Sequence, residues 1–340
     1  GLFCGIRLLE YPIPIEDKCK VTEPRFQTLI LVLTQHLNAE PIQSGCLQLI
    51  RCLLIDQLDL ENTHDTLTMF ENMIEPSLQA MTKFRDSQRV NEEALNVIKV
   101  ALCATDLHTD SKYKVILTSN TFRKTATDKL ISCKGIPSLT FASRYAFFSS
   151  YLCLCCCLVA RPESALPIAT AGGITIVISG LFNTSLGIDS HCLGLDALKA
   201  LIVAGDALSR RVIEERGIQV LSKDLDVASR EPNGFEPRLR ACRALAALAA
   251  GGSFQRRTIS DTGDIIAKLL KVIQAKTTNL KELDGACDVL RYLSYDTQSR
   301  AKLQKMKTDK AVKSMIRKNG PMDPNLTFKV DEIIANLSKV

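Results

Sequence analysis

Apolar residues in the C-terminal half of the chain recur at the spacing of a helix face. Leu239, Cys242, Leu245 and Ala249, for example, follow one another at intervals of three or four residues. This interval places side chains on one side of an α-helix. No segment shows the alternation of apolar and polar residues that is typical of a half-buried strand. The pattern therefore predicts an all-α chain.

A short glycine-containing phrase recurs four times along the chain. Its anchor residues are Gly135, Gly173, Gly217 and Gly263, which lie 38, 44 and 46 residues apart. The Ala- and Leu-rich stretches that follow the phrase carry Leu201, Leu248, Leu293 and Leu337, at intervals of 47, 45 and 44 residues. Two independent anchors with nearly one period indicate stacked units of two or three helices. We expect the anchor glycines to adopt positive φ in tight turns between helices.

These phrases resemble the armadillo repeat family, whose unit has a short first helix, a second helix and a long third helix. ERGIQVLSKDL at 215–225 matches the second helix, and RACRALAALAAGG at 240–252 matches the third. The resemblance implies one right-handed α-solenoid of three-helix repeats over residues 1–340. Its parts are degenerate repeats at 1–110, an atypical Cys- and Phe-rich repeat at 111–165 and clear repeats at 166–340. The HEAT family is the nearest structural alternative.

Segment 139–160 is the least typical part of the chain, because Arg144 is its only charged residue. The uncharged stretch after Arg144 has sixteen residues, fewer than the roughly 20 that span a membrane. We interpret the segment as a buried third helix; a membrane contact and an error in the sequence remain alternatives. Its clustered cysteines are adjacent residues that point to different faces of one apolar helix, so we predict no metal site there. They are Cys153, Cys155, Cys156 and Cys157.

Composition and charge are ordinary for a globular protein. The chain is 46% hydrophobic and 24% charged, with a net charge of +6 that by itself is too small to indicate nucleic acid binding. The thirteen cysteines are odd in number and lie mostly in apolar helical runs, which is typical of free thiols in a reducing compartment. Residues 1–7 lack the features of a secretory signal. We therefore expect a cytoplasmic location, with the nucleus as a further compartment.

Catalytic and cofactor-binding motifs are absent from the sequence. His191 and Cys192 could suggest a base and a nucleophile, but adjacent helical residues point about 100° apart. No dinucleotide fingerprint follows a strand, and no phosphate-binding loop motif occurs. We predict no enzymatic activity, no cofactor and no metal.

Repeat stacks of this kind expose a concave groove lined by their third helices, and extended peptides bind in such grooves. In the nuclear-import receptors of the armadillo family, each third helix carries a Trp and, four residues later, an Asn. Here the Trp positions hold Asp196, Arg243, Asp288 and Glu332, and the Asn positions hold Ala200, Ala247, Tyr292 and Asn336. Only Asn336 matches, so an import receptor is not expected. The predicted groove contacts are Asp196, Arg240, Arg243, Asp288, Tyr292, Lys329, Glu332 and Asn336. The resemblance implies a scaffold for a protein or extended-peptide partner, with a solvated face as the alternative.

A second candidate site is the basic run at 300–318, where Asp309 is the only acidic residue. Its candidate contacts are Lys302, Lys305, Lys307, Lys310, Lys313 and Arg317. Such a run attracts acidic protein tails, anionic lipid or phosphate backbones. It lacks the interleaved aromatic residues that favour single-stranded nucleic acid. A nucleic acid or membrane partner is therefore less favoured than a protein, and a merely solvated helix surface remains the alternative.

Overall fold

A computed structural model describes residues 23–58, 64–103, 120–183, 187–226, 235–275, 279–319 and 323–339. All regular structure in these ranges is helical, so the all-α prediction is confirmed. The chain divides into two compact units, residues 1–176 and 177–340, which are described separately. Residues 1–22 and 104–119, assigned above to the degenerate and atypical repeats, lie outside the described residues.

The first unit contains helices α1 to α8. They are α1 (Glu23–Gln35), α2 (Glu40–Leu58), α3 (His64–Lys83), α4 (Gln88–Cys103), α5 (Asn120–Ser132), α6 (Ile136–Ala142), α7 (Phe147–Ala160) and α8 (Ala165–Thr170). Helix α4 packs against both α2 and α7, as third helices of successive repeats do. Between α2 and α4, the single helix α3 stands where a three-helix repeat has two. This explains why the sequence pattern is degenerate there.

The second unit follows the three-helix pattern closely. Helix α9 (Gly173–Phe182) crosses the division between the units. The next helices are α10 (Ile188–Val203), α11 (Asp206–Glu214), α12 (Gly217–Asp224), α13 (Phe235–Ala250), α14 (Ser253–Asp261), α15 (Ile265–Gln274), α16 (Leu280–Ser294), α17 (Thr297–Lys305), α18 (Thr308–Asn319) and α19 (Pro324–Leu337). Helices α10, α13, α16 and α19 are the third helices, and each packs against the next. Their anchor leucines Leu201, Leu248 and Leu293 are fully buried.

Helix α7 contains most of segment 139–160 and is buried along nearly its whole length. Tyr151, Leu154 and Cys155 are fully excluded from solvent, which agrees with the interpretation as a buried third helix. Within the described ranges, no single helix is long and apolar enough to cross a bilayer. One sharply bent pair, residues 162–170 and 173–182, meets the length and hydropathy requirements only when its two helices are taken together.

The prediction about the anchor glycines is right at Gly263, which has a φ of 56°. It is wrong at the other anchors, where the residue before the glycine has the positive φ; these are Gly135, Gly173 and Gly217. At the last of these turns the left-handed residue is Arg216, with a φ of 70°, and Gly217 is the first residue of α12. A Cβ at Gly217 would lie 2.8 Å from the backbone oxygen of Val212. Glycine is needed there because two helices meet closely, and the unusual φ falls on the residue before it.

Candidate functional site

The sides of α10, α13, α16 and α19 that carry the predicted groove residues form one surface of the second unit; we call it the third-helix face. Arg238, near the start of α13, donates its Nε to Glu282, near the start of α16, at 2.8 Å. Asn336, near the end of α19, donates to Ser294, at the end of α16, at 3.0 Å. The start of α13 therefore pairs with the start of α16, and the end of α16 pairs with the end of α19, as in helices that run parallel.

At two junctions, a cation on one third helix pairs with an acid on the third helix before it. Arg240 on α13 pairs with Asp196 on α10. Lys329 on α19 donates its Nζ to Asp284 Oδ1 at 2.6 Å and to Asp288 Oδ2 at 2.7 Å, both on α16. Arg240 and Lys329 each lie eight residues before an anchor leucine. The same cation position therefore links the pairs α10–α13 and α16–α19.

The Lys329 ammonium is enclosed, with its side chain 8% exposed. Burial by itself would lower the pKa of Lys329, but the hydrogen bonds to Asp284 and Asp288 outweigh burial and the pKa is raised. Asp288 is also 3.2 Å from the guanidinium of Arg291. The amine is therefore charged throughout the physiological range, and it holds two carboxylates of α16 against α19.

An aromatic cluster lies at the end of α16. The rings of Tyr292 and Tyr295 meet edge to face, with centroids 6.1 Å apart. The guanidinium of Arg291 is 4.7 Å from the centre of the Tyr292 ring, and that of Arg256 is 5.5 Å from the centre of the Tyr295 ring. Tyr295 donates its hydroxyl to Glu332 Oε1 at 2.6 Å. Burial and this bond to a carboxylate raise the pKa of Tyr295.

Arg243 on α13 differs from the other charges of the third-helix face. It is exposed, and no acidic partner for it exists among the described residues. At the junction of α13 and α16, the position equivalent to the Arg240 and Lys329 cations holds Gly285, and the position equivalent to Asp196 holds Arg243 itself. A Cβ on Gly285 would lie 3.1 Å from the Cβ of Cys242. Close packing and the Arg238–Glu282 pair join these two helices, and the Arg243 guanidinium takes no part in joining them.

Comparison with known proteins identifies the fold. No family model and no curated protein matches the chain. A designed armadillo repeat protein matches it with a TM-score of 0.54 at 13% identity, over 84% of this chain and 98% of the design. The chain has an armadillo-like repeat fold.

Two further designs share this fold; one was solved with a bound peptide, and the other was designed for peptide recognition. A designed armadillo repeat protein in complex with peptide (KR)4 gives a TM-score of 0.56 at 14% identity, over 79% of this chain and 99% of that one. A computationally designed armadillo repeat protein for modular peptide recognition gives 0.56 at 16% identity, over 78% and 99%. At these identities the likeness shows the armadillo-like fold alone.

The armadillo-like repeats place the eight predicted groove residues in three environments. Lys329 and Asn336 are buried and link α19 to α16. Arg243 is exposed. The other five groove residues are half-buried; they are Asp196, Arg240, Asp288, Tyr292 and Glu332. Sequence reasoning missed Arg256 and Tyr295, although Tyr292 and Tyr295 are spaced as neighbours on a helix surface.

The predicted basic residues lie on α17, on α18 and in the turn between them; we call this the basic surface. Lys302 pairs with Asp261. The other five are exposed and have no ion-pair partner among the described residues. Three of these share one side of α18. The five are Lys305, Lys307, Lys310, Lys313 and Arg317.

The two residues considered above as a catalytic base and nucleophile, His191 and Cys192, are paired and buried respectively. His191 Nε2 lies 3.0 Å from both carboxylate oxygens of Asp224. Burial raises the pKa of Cys192 to about 11, so its side chain is a protonated thiol at neutral pH. Within the described ranges, no three His, Cys, Asp or Glu side chains are grouped to hold a metal ion.

Proposed function

We propose that this protein is a non-enzymatic scaffold that binds an extended peptide segment across its third-helix face. The observation that carries the proposal is the set of parallel third helices whose exposed residues keep one register from repeat to repeat. Packed helices are about 8–10 Å apart, and an extended chain advances about 3.3 Å per residue. Roughly three peptide residues would therefore pass each helix.

The cross-helix ion pairs support this role because they hold the face in one arrangement before a ligand arrives. Arg240 and Lys329 each hold two neighbouring third helices together. A preformed surface limits the entropy lost on binding. Peptide-binding designs with the same fold support the proposal further.

A peptide-display selection against the full chain tests the proposal. Dissociation constants of the selected peptides are then compared between wild type and Tyr292→Ala, which removes a half-buried ring from the face. We expect binding to weaken at least tenfold, because aromatic anchors dominate such interfaces. Lys271→Glu is the control, since Lys271 is exposed on α15. A selection without specific binders, or binders indifferent to Tyr292→Ala, would contradict the proposal, as would catalytic turnover that is lost when His191 or Cys192 is changed.

The unpaired cations of the basic surface favour a second candidate function, the binding of an anionic partner such as an acidic protein tail, anionic lipid or a phosphate backbone. A salt titration separates the two functions. Binding to phosphates through several cations weakens steeply between low and physiological salt, whereas a peptide held mainly by apolar contacts weakens less. The double variant Lys310→Glu, Lys313→Glu should abolish only the salt-sensitive binding.

A reducing compartment is also part of the proposal. Cysteines within the described ranges, Cys242 and Cys287 among them, are free thiols. Free thiols in number persist in the cytosol and nucleus, and we propose the cytoplasm as the main location. Microscopy of the tagged full chain tests this, and an extracellular signal would contradict it.

A further inference from the structure

Most acids of the third-helix face are already neutralised from within the protein. Asp196 is held by Arg240, and Asp288 by Lys329 and Arg291. A basic peptide would have to displace cations that are tethered to the same fold and partly shielded from water. The available carboxylates therefore offer little to a basic ligand.

Two cations without an acidic partner lie at the junction of α13 and α16, one on the third-helix face and one on the neighbouring helix α14. Arg243 projects from α13 into solvent. Arg256, on α14, donates its Nε to the carbonyl of Ala249 at 2.8 Å and lies over the Tyr295 ring. Neither has a carboxylate partner among the residues that the structure describes. The uncompensated charge at the junction of α13 and α16 is therefore positive.

An apolar element lies at the same junction. Tyr292 is half-buried on α16, and the equivalent position on α13 holds the small residue Ala247. No bulky α13 side chain therefore stands at that register beside the Tyr292 ring. A ligand side chain that contacts this ring would bring its neighbouring residues towards Arg243 or Arg256.

We infer that the segment recognised by the third-helix face is an acidic peptide that also carries apolar residues, with its carboxylates at Arg243 and Arg256 and an apolar side chain on Tyr292. This inference rests on the proposed function, and it names the chemical class of the partner. The apolar contact positions the peptide, and the two guanidinium groups exclude peptides of the opposite charge.

Fluorescence anisotropy with two labelled twelve-residue peptides tests the inference. One peptide repeats Glu-Leu-Asp four times and the other repeats Lys-Leu-Arg four times; each spans roughly 40 Å when extended. At physiological salt we expect the acidic peptide to bind at least tenfold more tightly than the basic peptide. Arg243→Glu should weaken the acidic peptide at least tenfold, because it places like charges together. Arg243→Gln should weaken it less, and Lys271→Glu should leave it unchanged.

The basic surface is the necessary comparison, because it also attracts acids. The variant Lys310→Glu, Lys313→Glu should keep full affinity for the acidic peptide. If this variant loses binding and Arg243→Glu does not, the inference is overturned. Tighter binding of the basic peptide overturns it as well, while the proposed function stands. If neither these peptides nor selected peptides bind, the proposed function itself fails. Far-UV circular dichroism of each variant confirms that it is folded.

Discussion

Replacing Lys329 by methionine should destabilise the second unit by about 2–3 kcal/mol at pH 7. Removing one partner of a buried ion pair costs roughly 3–5 kcal/mol, because the other partner is left unpaired. The cost here is at the lower end or below it. Asp284 and Asp288 keep 40% and 24% of their side-chain surface in water, and Arg291 still neutralises Asp288. Methionine fills a similar volume, so the loss is mainly electrostatic.

Thermal unfolding followed by circular dichroism measures this loss. For a domain of about 150–250 residues, a loss of about 2–3 kcal/mol lowers the midpoint by roughly 4–12 °C. Hydrogen exchange resolved by mass spectrometry assigns the loss to α16 and α19. A triple variant that combines Lys329→Met with Asp284→Asn and Asp288→Asn should recover much of the stability, because the repelling carboxylates are gone.

The pH dependence of Lys329→Met distinguishes charge from packing. In the wild type, the pKa of Lys329 is raised. The stabilisation that Lys329 provides is therefore fully present below the unfolded-state pKa of about 10.4 and is lost as the pH rises through the folded-state pKa. A variant as stable as wild type at pH 7, or a deficit that persists unchanged once the pH exceeds the folded-state pKa of Lys329, would refute this reasoning.

Three further predictions concern packing, thiol reactivity and helix capping. Gly217→Ala should cost about 1–3 kcal/mol in chemical denaturation, because the new Cβ meets backbone. Gly187→Ala should cost less, because its Cβ meets nothing within 4 Å and only the N-cap of α10 changes; equal effects would contradict this. The pKa of Cys242 is raised by burial to about 12, so at pH 8 a thiol reagent should label half-exposed Cys133 well before Cys242, as peptide mass mapping would show. Asn279→Ala removes the capping box of α16 and should cost about 1 kcal/mol; an unchanged denaturation midpoint would argue against it.

The helices of the second unit could be predicted from the sequence because their buried apolar residues recur at regular intervals. Leu201, Leu248 and Leu293 recur at the repeat interval and are all fully buried. The first unit was harder to predict since α3 stands in place of two short helices. The repeat that contains α3 therefore lacks the glycine phrase, which first appears at Gly135.

The candidate site could be predicted only as a set of positions. Register placed Arg243 and Tyr292 on the third-helix face, but it could not show which charges are already paired. A usable signal does exist, because opposite charges one repeat apart pair across neighbouring helices. Arg240 and Asp196 are 44 residues apart, as are Arg238 and Glu282. Which of the other charges are paired depends on side-chain conformation, and the repeat pattern does not encode that conformation.

The position of the free charge follows from how neighbouring repeats are coupled. Each armadillo-like repeat is stabilised mainly through its neighbours, so a surface charge that joins two helices is not available to a ligand. Lys329 joins α16 and α19, and its ammonium pairs with the carboxylates of Asp284 and Asp288 there. Helices α13 and α16 are joined by the close approach at Gly285 and by the Arg238–Glu282 pair, in which Glu282 is 2% exposed. That junction needs no surface ion pair, and for this reason Arg243 remains available for binding.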